Sequence, residues 1–131
     1  MNLQRTIYSL LTRVEDSILL IQSQTKQIRK ADDFMLTPEG IFTLSGVCMQ
    51  LIYIGESIKS IDAKTESLYL LKYPNIPWTD IMGLRNIIAH EYHRIDEDEI
   101  FRVITLDLQP LLDEVRKMKS ELSIVKDIIK I

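Results

Sequence analysis

From position 85 the chain reads Arg85-Asn86-Ile87-Ile88-Ala89-His90-Glu91-Tyr92, a permanent cation, an imidazole titrating near neutrality and a phenol within two turns of a predicted helix. That set of groups suits chemistry on a phosphate. A guanidinium grips phosphoryl oxygens through a planar fork of donors and does not lose its proton, while an imidazole accepts or delivers one at physiological pH. Asn86, one turn before His90, is able to orient the imidazole or to contact phosphate. An Arg and a His five residues apart arise by chance in many helical proteins, so the pair gains weight only from what surrounds it.

The surroundings supply that weight. Ile54-Gly55-Glu56 upstream, Pro77-Trp78-Thr79-Asp80-Ile81-Met82-Gly83-Leu84 leading in and Ile95-Asp96 following, together with Arg-x4-His-x-Tyr at Arg85, His90 and Tyr92, resemble HEPN-domain ribonucleases. More narrowly, they resemble HepT-like toxins that pair with a minimal nucleotidyltransferase antitoxin, and the resemblance covers most of the chain. It implies a metal-independent endoribonuclease without a cofactor, acting on RNA as a twofold homodimer or higher oligomer. Arg85 and His90 would be the catalytic residues, with Asn86 and Glu56 in support. Tyr92 would be the acceptor of AMP groups from the antitoxin, which silences the nuclease by bulk and negative charge beside the phosphate site. Without that resemblance, Tyr92 reads as an interface aromatic.

The chemistry follows from the substrate. RNA carries its own nucleophile, the 2′-hydroxyl, so cleavage needs no metal and leaves a 2′,3′-cyclic phosphate and a 5′-hydroxyl. A positioned acid or base such as His90 contributes about 10²- to 10⁴-fold in rate. Arg85 would hold the phosphate and stabilise the charge that grows in the transition state.

Placing the motif on a helix exposes a geometric problem. At 3.6 residues per turn, positions seven apart such as Arg85 and Tyr92 share a face, but Arg85 and His90 lie about 140° apart around the axis. Three arrangements would unite them: side chains that reach around to one cleft, a helix that loosens near His90, or a twofold dimer that brings Arg85 and His90 of two copies together. The resemblance implies the third, which would also supply two imidazoles, one base and one acid, from a single sequence.

The elements that must position these groups read as helices. Apolar residues at Ile7, Leu10, Leu11, Val14, Ile18, Ile21 and Ile28 trace one stripe, which predicts a helix from Leu3 to about Ile28. Thr37-Pro38 offers an N-cap hydroxyl followed by proline at the first helical position, opening a second helix to about Ser60 that is apolar nearly all round. A connector with a short helix near Glu66 to Leu71 follows, and Pro77 opens a third helix to about Tyr92. Asp96 with Glu99 resembles a capping box starting a fourth helix, which Pro110 ends or kinks before a fifth helix or a kinked extension. The economical architecture is an all-α antiparallel bundle of four to five helices, residues 1–131 as a single domain.

Length and composition agree. At 131 residues, 46% hydrophobic and 27% charged, the chain has apolar material for one core. No apolar run approaches the roughly 20 residues of a membrane span, and the N-terminus does not read as a signal peptide, so a cytoplasmic protein without a membrane partner is expected. Lone Cys48 reads as a buried small hydrophobe. The formal charge of −3 runs against the basic surplus of nucleic-acid binders, but Arg85, His90, His93 and Arg94 gather in ten residues, with Asp96 to Glu99 just beyond. A small basic cleft on an acidic body suits a local RNA contact, and the acidic run reads as helix-start chemistry.

Other residues carry weaker signals. Trp78 reads as an anchor of the third helix, with base stacking as the alternative; Glu56 reads as Arg85's partner or a solvent-facing carboxylate. Tyr53 and Tyr73 give no usable signal, and His90 with His93 makes too sparse a ligand set for zinc. Two alternatives to the nuclease stay open: a non-catalytic nucleotide- or partner-binding subunit of a separate nucleotidyltransferase, and a helical dimer whose motif only holds its interface together.

Overall fold

In a computed structural model, residues 2–90 and 95–129 are described, and every regular element among them is helical. Helix α1 (Leu3–Gln24) begins where the Asn2 side chain accepts the Gln4 amide at 2.7 Å, and it buries the predicted stripe of Ile7, Leu11, Val14, Ile18 and Ile21. It stops one turn earlier than the periodicity suggests. Ile28 is buried from the turn that follows, held by its N–H to the Thr25 carbonyl at 3.0 Å. Lying seven residues beyond Ile21, it imitates helical register without belonging to the helix.

A 3-10 turn (Ala31–Phe34) interrupts the chain, with Asp33 accepting the Arg29 and Lys30 amides and Phe34 fully buried. Helix α2 (Pro38–Lys64) then opens as expected, Thr37 Oγ1 accepting the Gly40 amide at 2.9 Å with Pro38 in the first turn, and runs one turn past Ser60. It is the central element, packed against α1 and the two motif-bearing helices described next. Leu51, Ile54, Ile58 and Ile61 disappear into the core, each such burial stabilising by about 1.5–3 kcal/mol.

One sequence expectation about α2 needs correcting. By length and composition it is apolar enough to cross a membrane, and only part of that apolar length is buried in the bundle. It is buried where it faces α1 and the rest of the core, while Phe42 (81% exposed), Met49 and Tyr53 form a stripe at the surface.

The expected third helix is two. Helix α3 (Trp78–Met82) and helix α4 (Leu84–His90) are separated at Gly83, whose carbonyl accepts the Asn86 amide at 3.1 Å in a tighter turn. Trp78 is an anchor: 8% exposed, its Nε1–H donates to the Tyr73 carbonyl at 2.8 Å. It is not available for base stacking. The short helix near Glu66 to Leu71 appears slightly later, as a 3-10 turn (Tyr69–Lys72).

Asp96 caps α5 (Glu97–Arg102), accepting the Asp98 and Glu99 amides at 3.0 and 3.2 Å. Glu99 does not complete a capping box; it turns to Arg102 at 2.7 Å. At Pro110 the chain does not break. A π-helical stretch (Val103–Asp107) leads into α6 (Leu108–Ile129), and its wider turn relieves the clash between the proline ring and the carbonyl four residues back. Helix α6 returns along α1, where Glu15 accepts from Arg116 at 2.9 Å and Lys119 at 2.6 Å. The Lys119 hydrogen bond, with help from Arg116 and against partial burial, holds the Glu15 carboxyl below its ordinary range.

Candidate functional site

Helix α4 is only seven residues long, and its placement depends on two neighbours. Ile88 is buried in the core and fixes the helix's inner face. Gly55 of α2 sets how close the α3–α4 segment comes: a Cβ there would lie 2.8 Å from the Ile81 carbonyl oxygen. A carbon–oxygen contact is comfortable at about 3.3–3.6 Å, so this packing requires glycine.

With the helix so seated, Arg85 points outward, its side chain 60% exposed, and Nη1 lies 3.4 Å from Glu56 Oε1. The Gly55-Glu56 dipeptide therefore has two jobs, one steric and one electrostatic. An exposed pair of this kind contributes about 0–1 kcal/mol, so Glu56 orients the guanidinium without holding it fast. Arg carries five N–H donors and a single carboxylate oxygen engages few of them, which leaves a phosphate room to bind or displace the pair. Of the two sequence readings for Glu56, the partner of Arg85 is the one observed. Asn86 is exposed next to Arg85.

The backbone stays helical from Leu84 through His90, so the helix does not loosen before His90 and the angle of about 140° stands. A side-chain reach or a second copy remains to bring the two groups together. The side chain of His90, and all of Tyr92, His93 and Arg94, lie outside the described residues. So does the expected shared face of Arg85 and Tyr92.

The acidic run beyond the motif behaves as helix-start chemistry in Asp96, its cap, while Glu99 joins Arg102 and Asp107 in a surface ion-pair network. The Arg102 hydrogen bond lowers the Glu99 carboxyl below its usual range. This network rims a cleft of about 680 Å³ between α2, α3 and the π-helical stretch, lined mainly by apolar residues such as Ile54, Ile81 and Leu111. Arg85 is not part of it. Cys48 is buried and desolvation pushes its thiol up to about 11, which suits a core residue and not a nucleophile. What the sequence passed over is Tyr53, 51% exposed and one turn before Glu56.

Comparison with known proteins places this chain in a family. Residues 14–118 match the model described as ribonuclease HepT-like. A Methanocaldococcus jannaschii protein named "Gamma-glutamylcyclotransferase and putative RNase" is 30% identical over 86% of this chain and 47% of its own length. A Thermococcus cleftensis protein named "Probable ribonuclease HepT" is 25% identical over 89% of this chain and 99% of its own. The chain thus spans about half of the first relative and nearly all of the second. No solved structure gives a significant match. The matched span runs from α1 into α6, and on that extent the chain belongs to the ribonuclease HepT-like family.

Proposed function

We propose that the chain is a metal-independent endoribonuclease, the toxin of a pair whose antitoxin is a minimal nucleotidyltransferase. The observation that carries this reading is the exposed Arg85, presented beside Glu56 on a helix whose inner face is locked by Ile88 and Gly55. A guanidinium held at a rigid surface and lightly paired is suited to receive a phosphate. Arg85 binds the scissile phosphate and offsets its growing charge; His90 moves the proton to or from the 2′-hydroxyl or the leaving 5′-oxygen; Asn86 supports either group. Products are a 2′,3′-cyclic phosphate and a 5′-hydroxyl.

The working form in this reading is a twofold dimer. The angle between Arg85 and His90 favours a second copy, and the exposed Phe42 and Met49, on the turns of α2 before Tyr53, supply an apolar surface for it to cover. AMP on Tyr92 would silence the enzyme by placing an anion next to the phosphate site. The test is a cleavage assay on mixed RNAs in the presence of a chelator, with analysis of product ends and light scattering on the same sample. Loss of cleavage with the chelator, or a monomer at micromolar concentration that still cleaves, would refute metal independence or the composite site respectively.

A further inference from the structure

Beside the Arg85–Glu56 pair, a groove of about 440 Å³ runs between α1 and α2, lined by Arg13, Asp16, Ser17, Tyr53, Glu56 and Ser57. Its size falls within the ~300–1,000 Å³ of small-ligand sites. Three features give it a chemical direction. Arg13 is exposed and takes part in no ion pair among the described residues, so a second guanidinium stands across the groove from the Glu56 that Arg85 contacts. Tyr53 presents about half of its surface on the same wall, a platform of the kind on which bases stack. Asp16 and Glu56 offer carboxylate acceptors, which repel phosphate but accept from the exocyclic amino group of a base.

We propose that this groove is a nucleotide subsite for the residue flanking the scissile phosphate, Arg13 holding the adjoining phosphate and Tyr53 stacking its base. The inference rests on the nuclease reading for the role of Arg85, but binding in the groove does not require cleavage. Glu56 links the two sites: it lines the groove and touches Arg85, so a strand seated on Tyr53 is led directly to the Arg85 guanidinium.

The test uses the full chain and 2′-O-methyl oligonucleotides of three and six residues, which lack the attacking hydroxyl, with binding followed by fluorescence anisotropy. Wild type should gain affinity from the longer probe. Arg13→Ala and Tyr53→Ala should each lose about ten-fold on it, while Tyr53→Phe, which keeps the ring, binds as wild type. Arg13→Ala should also flatten the slope of log affinity against log salt by about 0.7, the share of one phosphate on a single strand. Variants that bind the longer probe as tightly as wild type overturn the subsite, as does a Tyr53→Ala chain that light scattering shows to have lost its oligomeric state. Cleavage of unmodified RNA, scored in parallel, separates the two readings: groove-dependent binding without wild-type cleavage overturns the nuclease and keeps the subsite, and the reverse keeps the nuclease and discards the groove.

Discussion

Two glycines on one helix should respond to the same substitution with opposite signs. Gly46 and Gly55 both lie inside α2, where replacing glycine by alanine ordinarily stabilises by about 1 kcal/mol. At Gly46 a new Cβ meets nothing within 4 Å, so Gly46→Ala should realise that gain. At Gly55 it would stand 2.8 Å from the Ile81 carbonyl oxygen, roughly half an ångström inside a comfortable contact. The obstacle is backbone, not the tip of a flexible side chain, so the whole α3–α4 segment must move. Overpacking of that kind costs about 1–3 kcal/mol. Set against the propensity gain, Gly55→Ala should destabilise by about 1 kcal/mol, which puts the two variants about 2 kcal/mol apart.

At 3–5 °C per kcal/mol for a chain of this size, that gap is about 8 °C in thermal midpoint, well within reach of calorimetry or circular dichroism. The displacement also carries Arg85 with it. Since a misplacement of about 1 Å can cost 10²-fold, a shift of half that should lower RNA cleavage by about ten-fold in a chain that is still folded. If Gly55→Ala proved as stable and active as Gly46→Ala, the close approach of α2 to α3 would not be what seats the motif helix.

Arg85→Ala and His90→Ala should each abolish cleavage with little change in thermal midpoint; cleavage at the wild-type rate by a purified His90→Ala dimer would end the proton-transfer role. Tyr92→Phe should keep cleavage and escape inhibition by the partner nucleotidyltransferase and ATP, and mass spectrometry that finds AMP on another residue, or inhibition without AMP, would replace modification by occlusion. Glu15 adds a pH signature. Its carboxyl titrates lower in the folded chain than its ordinary value of 4.5, so its contribution is present above that pH and is lost as pH falls through the lowered value. Glu15→Gln should cost about 1 kcal/mol near neutrality and make stability less sensitive to acid below pH 4.5, as read from denaturant midpoints across the pH range.

Helix starts were the most legible part of the fold, because a cap is a local event: Thr37-Pro38 and Asp96 act where their side chains sit, whatever packs later. Helix ends and interruptions were less so. Ile28 extended the α1 stripe by a residue buried from a turn, and periodicity cannot tell the two cases apart. Pro110 carried a local signal to stop, yet the π-helical turn before it absorbs the ring and the contacts of α6 with Glu15 keep the helix in place. The break between α3 and α4 at Gly83 falls two residues after Ile81, whose carbonyl passes against Gly55 far upstream, a contact the local sequence does not announce. Tyr53 was silent in the sequence because its meaning depends on Arg13 and Glu56 across a groove that exists only once α1 and α2 have paired.

The motif itself was legible as chemistry and only partly as geometry. Residue types alone point to phosphate; the fold adds that Arg85 is exposed and paired with Glu56. The Gly-Glu dipeptide could be read in advance as part of a resemblance, but its physical content comes from the fold: glycine for the backbone that must pass within contact of Ile81, glutamate for the cation that this passage delivers. Exchange Gly55, and Glu56 loses its partner, since Glu56 can meet Arg85 only while Gly55 lets α4 sit where it does. The same reasoning shows why a net charge of −3 is a poor guide to a site of this kind. A broad binding surface needs a basic surplus to release counterions, whereas the proposed site rests on one guanidinium whose nearest carboxylate is a weakly held, exposed partner at 3.4 Å.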